Sequence, residues 1–215
     1  MEKIVEKVRE IVKEQMLNEA SGHDYWHVLR VYNNAMLLME KVNDAKVNKF
    51  IVQLAALLHD IGDYKITGTE ETQTGIPKKI LENSQVEPSM IQQIIEIIGE
   101  ISFHQQTKQL SSIESQIVQD ADRLDAIGAI GIARVFAYGG AKGREIWNPD
   151  ELPKVNMTKE EYKMNKGNSI NHFYEKLLLL KDKMNTEVGK KIAEERHQFM
   201  ESYLEQFFKE WNGTR

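Results

Sequence analysis

From Phe50 to Leu58 the chain reads FIVQLAALL, with Gln53 its one polar residue, and His59 and Asp60 follow directly. A helix that is apolar on nearly every side has no face to turn to water, so other elements must surround it. The run therefore predicts a central helix from about Ala45 to Ile61, stopped at Gly62. Two amphipathic patterns precede it. Ile4, Val5, Val8, Ile11, Val12 and Met16 recur at i, i+3, i+4 spacing and lay one apolar stripe along a first helix. A second helix is expected from about Asp24 to Val42, turning Val28, Val31, Ala35, Leu38 and Met39 inward.

Helical spacing continues downstream. Residues 65–76 read as a polar loop, and Pro77 opens a short helix over 77–83. Another helix runs from about Pro88 to His104. Ser111 or Ser112 caps a long helical stretch that is broken near Gly128 or Gly131 and stopped by Gly139-Gly140. Residues 141–168 are the least regular and read as a flexible loop or lid. Two last helices follow, one capped by Ser169 and one running from Thr186 to about Trp211. The pattern contains no convincing strand and no internal repeat, so the expected fold class is all-α.

Composition narrows the function classes. A chain of 215 residues, 41% of them hydrophobic, can bury one substantial core. A net charge of −5 argues against a reader of nucleic-acid polymers, which needs a basic surplus, although a local basic pocket for a small phosphate compound stays open. With no cysteine there is no disulfide, no zinc-thiolate site and no thiol nucleophile, so any metal must rest on His and carboxylate ligands. The N-terminal MEKIVEKVREIVKEQ alternates charge with apolar residues, and no apolar run approaches the roughly 20 residues of a membrane span. The expectation is a soluble, cytoplasmic chain with no membrane partner.

Chemistry is expected where acids and histidines interrupt apolar faces. His27 shares a helix face with Val31, Ala35 and Leu38; His59-Asp60 closes the most hydrophobic helix; Asp122 lies in IVQDADRLDAIG. Each alone reads equally as a core histidine or a hydrogen-bonded anchor. Together, on three separate helices, they form the inward-pointing set that a metal site in a bundle requires. The conspicuous His23-Asp24 pair is read differently: Ser21 and Asp24 are helix-capping types, and His27 is the residue that matters.

The order His27, His59-Asp60, Asp122 resembles the HD-domain superfamily of metal-dependent phosphohydrolases. The segments HDYWHVLRV, AALLHDIGDYK, ISFH, QDADRLDAIGAIGIARVFAYGG, NHFYEKLLLLKDKMNT and ERHQFM are similar to bacterial stand-alone HD hydrolases, a subgroup linked with nucleotide pyrophosphohydrolase activity. The resemblance covers about residues 20 to 211. It implies an HD-type helical bundle as a single domain over 1–215, with a metal-site core over about 20–126 and C-terminal helices over about 169–211 packed on it.

Carried over by position, the resemblance makes His27, His59, Asp60 and Asp122 the ligands of one divalent metal ion per chain. Two imidazoles and two carboxylates suit Mn, Mg, Co, Ni or Fe better than a closed zinc site. Asp122 is preferred to Asp120, which lies about 160° round an ideal helix, and Asp125 falls close to the Asp122 face, where it could support the site. Asp63, one turn after His59, is implied as the residue that orients or deprotonates water; its alternative is a turn residue bonding to backbone. Lys65 is a candidate for neutralising phosphate, and Arg30, one turn beyond His27, for reaching the substrate or a supporting carboxylate; Arg123 and Arg134 are weaker candidates for the same. Binuclear relatives place two further histidines between the His-Asp pair and the last Asp, whereas this chain has His104 alone there. That departure implies one metal, with His104 left to bond phosphate or water. His172 and Lys176 complete the implied substrate contacts, and His197 reads as packing or surface.

The reading is a phosphohydrolase acting on a small phosphorylated metabolite, with a nucleoside triphosphate cleaved to monophosphate and pyrophosphate as its specific form. A nucleoside monophosphate phosphomonoesterase with the same site, or a non-catalytic nucleotide or metal sensor, are the alternatives.

Overall fold

Water has to be kept from the FIVQLAALL run, and the computed structural model shows how. It describes residues 1–17, 24–42, 44–61, 72–101, 110–155, 157–158, 161 and 164–214. Among these every regular element is a helix and none is a strand. The chain divides into two compact units, Met1–Asp122 and Arg123–Arg215.

In the first unit, α1 (Glu2–Met16), α2 (Tyr25–Val42) and α3 (Lys49–Leu58) are followed by α4 (Thr72–Asn83), α5 (Pro88–Ile101) and α6 (Ile113–Asp125), whose last turn crosses the unit boundary. Helix α3 packs against α1, α2 and α5. From Phe50 onward every side chain of α3 except Gln53 is buried, and Gln53 donates to the Tyr32 hydroxyl of α2 at 2.8 Å. Each of Leu54, Leu57 and Leu58 contributes about 1.5–3 kcal/mol by leaving water, so this helix is the energetic centre of the unit.

Several boundaries differ from the sequence expectation for local reasons. Helix α3 starts at Lys49 rather than Ala45, because the Asn48 side chain accepts the Phe50 and Ile51 amides and so caps it. The preceding residues turn instead, with the Lys46 amide on the Asp44 carboxylate at 2.9 Å. Helix α4 starts at Thr72, so Pro77 lies inside it and residues 72–76, expected as loop, are helical. Proline there removes a single backbone donor. The cap of α6 is Ser112, whose hydroxyl accepts the Ser115 amide at 3.1 Å. Glu100 of α5 ties this start down by accepting from both hydroxyls of Ser111 and Ser115, at 3.0 and 2.7 Å.

The second unit contains α7 (Gly128–Ala141), α8 (Asn171–Glu175), two single 3-10 turns at Leu177–Leu179 and Lys181–Lys183, and α9 (Glu187–Trp211). Two glycines make the break before α7. Gly128 has φ +75°, in the left-handed region, and a Cβ on Gly131 would lie 2.3 Å from the Ala126 carbonyl oxygen. Helix α9 begins as expected, with the Thr186 hydroxyl accepting the Gly189 amide at 2.9 Å. Helix α8 does not: the Asn168 side chain, not Ser169, accepts its first amide, from Asn171 at 2.8 Å.

Described residues of the irregular stretch before α8 are bonded into this unit. The Ser169 and Ile170 amides bond to the Glu145 and Ile146 carbonyls, both at 3.0 Å. Glu151 accepts from Asn168 and Asn171, and Glu175 accepts from Asn165. Trp147 packs edge-on against Phe208 and Trp211 of α9, with ring centroids 5.0 and 4.9 Å away. No single helix among the described residues is long and apolar enough to cross a membrane.

Candidate metal centre

Three helices of the first unit aim polar side chains at one point. His27 sits in the first turn of α2, where the Asp24 carboxylate accepts its backbone amide at 2.9 Å. The cap sets where the helix begins and thereby which way His27 faces, and Val28, Val31, Ala35 and Leu38 on the same helix hold that face inward. His59 and Asp60 follow the last residue of α3, so the apolar packing of that helix delivers both to its end. Asp122 comes from α6, and the Asn34 amide of α2 bonds to the neighbouring Ala121 carbonyl at 3.3 Å, fixing how α2 and α6 align.

The donor atoms converge. His27 Nε2 lies 3.3 Å from His59 Nε2, 3.2 Å from Asp60 Oδ2 and 3.5 Å from Asp122 Oδ1. His59 Nε2 lies 3.5 Å from Asp60 Oδ2 and 3.8 Å from Asp122 Oδ1. The two rings meet edge-on, with centroids 5.3 Å apart. One atom each from His27, His59 and Asp122 fits within 4.8 Å of the others, and Asp60 Oδ2 faces both imidazoles.

The donor set fits a divalent cation. Ligands about 2.1 Å from one octahedral ion stand about 3.0 Å apart when adjacent, close to the separations here. His59 Nδ1 must donate to the Ala56 carbonyl at 2.9 Å, because a carbonyl only accepts. In the neutral ring this leaves a bare lone pair on Nε2, the atom that faces the cluster. Two carboxylates beside two buried imidazoles also concentrate negative charge that a cation would balance. His27 is 1% exposed whereas the Asp122 side chain is 38% exposed, so water reaches the cluster from the Asp122 side.

The remaining expectations separate. Asp63, Lys65 and His104 lie outside the described residues. Arg30 stands three residues after His27 on α2, partly exposed. Asp120 is fully buried. Arg134 pairs with the carboxylate of Asp125 at 2.6 Å, and Arg123 donates to the Lys183 carbonyl. His172 belongs to the second unit, where burial first, then the charges of Lys176 and Arg144, push its pKa down to about 3. Its imidazole is therefore neutral at physiological pH. His197 is buried and contacts Glu201 at 3.2 Å. Asn34 was not foreseen; its signal was a polar residue seven positions, two helical turns, from His27 on the inward stripe.

Helices that bring His, His-Asp and Asp together in this order define an HD domain, and the family model of that name matches residues 25–127. The chain belongs to the HD-domain family of metal-dependent phosphohydrolases. YpgQ of Bacillus subtilis is 38% identical over 214 residues, 98% of this chain and 95% of that protein. A Lactobacillus plantarum protein of known crystal structure superposes with a TM-score of 0.86 at 35% identity, over 99% of each chain. An HD-superfamily hydrolase from Bacillus thuringiensis gives 0.77 at 44% identity over 98% of each. The crystal structure of YpgQ in complex with ADP gives 0.75 at 36% identity, over 96% of this chain and 97% of that one.

Proposed function

We propose that this chain is a nucleoside triphosphate pyrophosphohydrolase that releases a nucleoside monophosphate and pyrophosphate. The observation that carries the reading is the convergence of two imidazoles and two carboxylates, at 3.2 to 3.8 Å, from three helices. Its nucleotide part is supported by YpgQ, one crystal structure of which is a complex with ADP.

In this reading His27, His59, Asp60 and Asp122 hold one divalent ion. The ion supplies Lewis-acid polarisation of the phosphate and a lowered pKa for water. Asp63 orients the attacking water and takes its proton. The water oxygen bonds to the α-phosphorus, the bridging bond between the α and β phosphates breaks, and pyrophosphate leaves with the bridging oxygen. Lys65, Arg30 and His104 offset the phosphate charge, which is the largest contribution expected of side chains in phosphoryl transfer.

A panel of nucleoside tri-, di- and monophosphates with Mn²⁺, assayed separately for pyrophosphate and orthophosphate, tests the reading. Pyrophosphate from triphosphates is expected. Orthophosphate from monophosphates, with no pyrophosphate from any triphosphate, would replace it with a phosphomonoesterase. No metal-dependent product at all would leave a sensor. D63N is expected to bind Mn²⁺ as the wild type does while losing turnover about 10²-fold or more, the usual range for a positioned acid or base. Full activity in D63N refutes that role.

A further inference from the structure

The last turn of α6 is held by more than apolar packing. Asp125 is 2% exposed and sits at the helix end that carries partial negative charge, so burial and dipole both oppose a carboxylate there. Arginine compensates. Arg134 Nη1 of α7 donates to Asp125 Oδ2 at 2.6 Å and to the Asp125 carbonyl at 3.3 Å. Arg196 of α9 donates to the Leu124 carbonyl. Gly128 makes room for it: a Cβ there would lie 3.0 Å from Arg196 Cγ. The two final carbonyls of α6, which have no acceptor role inside the helix, are thus both taken by guanidinium groups.

Fold stability does not account for this arrangement, since replacing a buried ion pair with apolar side chains is commonly neutral or stabilising. Placement does. Asp125 follows Asp122 by three residues, less than one turn, on nearly the same helix face. Asp122–Asp125 is the last turn of α6, so fraying there would unwind the backbone that carries Asp122. Upstream, the Asn34 side chain donates to the Ala121 carbonyl, one residue before Asp122.

We propose that Asp125 and Arg134, together with Arg196, form a clamp that keeps the last turn of α6 helical and thereby keeps Asp122, in that same turn, in the conformation that binds metal. Asp125 is a positioning residue in this scheme and not a ligand. The proposal rests on His27, His59, Asp60 and Asp122 being the metal-holding set.

Calorimetric titration of Mn²⁺ into the metal-free full chain tests it. The double variant D125L/R134L removes both charges and keeps apolar volume. It is expected to retain the wild-type helical circular dichroism and Tm while binding Mn²⁺ about 10- to 100-fold more weakly, the usual cost of losing groups that orient a ligand. A folded double variant with wild-type affinity overturns the clamp. R134K, which keeps the charge but not the guanidinium fork, carries the test if the double variant does not fold. Weaker Mn²⁺ binding at unchanged Tm supports the clamp, and wild-type affinity overturns it. H27A separates this question from the underlying reading: wild-type Mn²⁺ affinity in H27A overturns the metal centre itself and the clamp with it. Lost affinity in H27A beside wild-type affinity in D125L/R134L overturns the clamp alone.

Discussion

Replacing Asp24 with alanine removes the oxygen that accepts the His27 amide at 2.9 Å, and the amide it releases belongs to a residue of the metal cluster. Loss of such a cap costs about 1 kcal/mol, and loss of the negative charge at the helix start about 0.5 kcal/mol more. Tyr25 and Val28 are buried on either side of His27, so the helix as a whole persists and the cost falls on its first turn. His27 Nε2 meets the other donors only while that turn is formed. If the turn must be rebuilt on each binding event, the same 1 to 1.5 kcal/mol reappears in metal affinity as a roughly 5- to 12-fold rise in Kd for Mn²⁺. The Tm should fall by about 2–6 °C for a chain of this size. D24N and D24S retain an accepting oxygen and are expected to stay within about twofold of wild type, since these residues cap nearly as well. Chelator-competition titration of Mn²⁺ beside thermal melts of the metal-free protein measures both effects. A D24A variant that melts lower but binds Mn²⁺ as tightly as wild type refutes the coupling. D24N as weak as D24A would show that charge, and not the cap, is what His27 feels.

The depressed pKa of His172, about 3, sets a pH dependence. Between about pH 6.5, its ordinary value, and pH 3, the unfolded chain binds a proton that the folded chain refuses, so stability falls with acid in that window and is level above it. H172N should therefore lose less Tm than wild type between about pH 7 and pH 5; an identical loss rules His172 out as the cause. In G131A the new Cβ meets the Ala126 carbonyl oxygen, which is backbone and must shift. Urea unfolding is expected to show a loss of about 1–3 kcal/mol, the range for overpacking, and a neutral result would mean that the α6–α7 turn yields. L57A, at a fully buried position of α3, should cost about 2–5 kcal/mol in the same assay; a loss under 1 kcal/mol would deny α3 its central place.

The fold class was legible because helical amphipathicity is a local, repeated signal. The stripe on α1 and the nearly all-apolar α3 each state what must be buried without reference to anything distant. The four residues of the metal cluster were legible for a related reason: polar groups interrupting apolar faces are costly, so their presence on three helices calls for a common partner. What the periodicity left open were the ends of elements, where one side-chain bond decides. Asn48 starts α3 four residues later than its pattern, and Asn168 displaces Ser169 at α8.

The amino-acid sequence by itself determined that this chain is helical, that α3 is buried within its unit, and which histidines and acids converge. Preference for Asp122 over Asp120 rests on the family resemblance, since the angle between them shows only that they face apart. Only the tertiary structure decided that His59 turns its Nε2 lone pair toward the cluster, because the Ala56 carbonyl fixes the ring. It alone decided that Asn34 aligns α2 with α6, and that Asp125 belongs to Arg134. Such choices depend on the distance and direction of atoms from separate helices. Residue spacing carries a period and a face, but the partner across the core is set by how those faces pack.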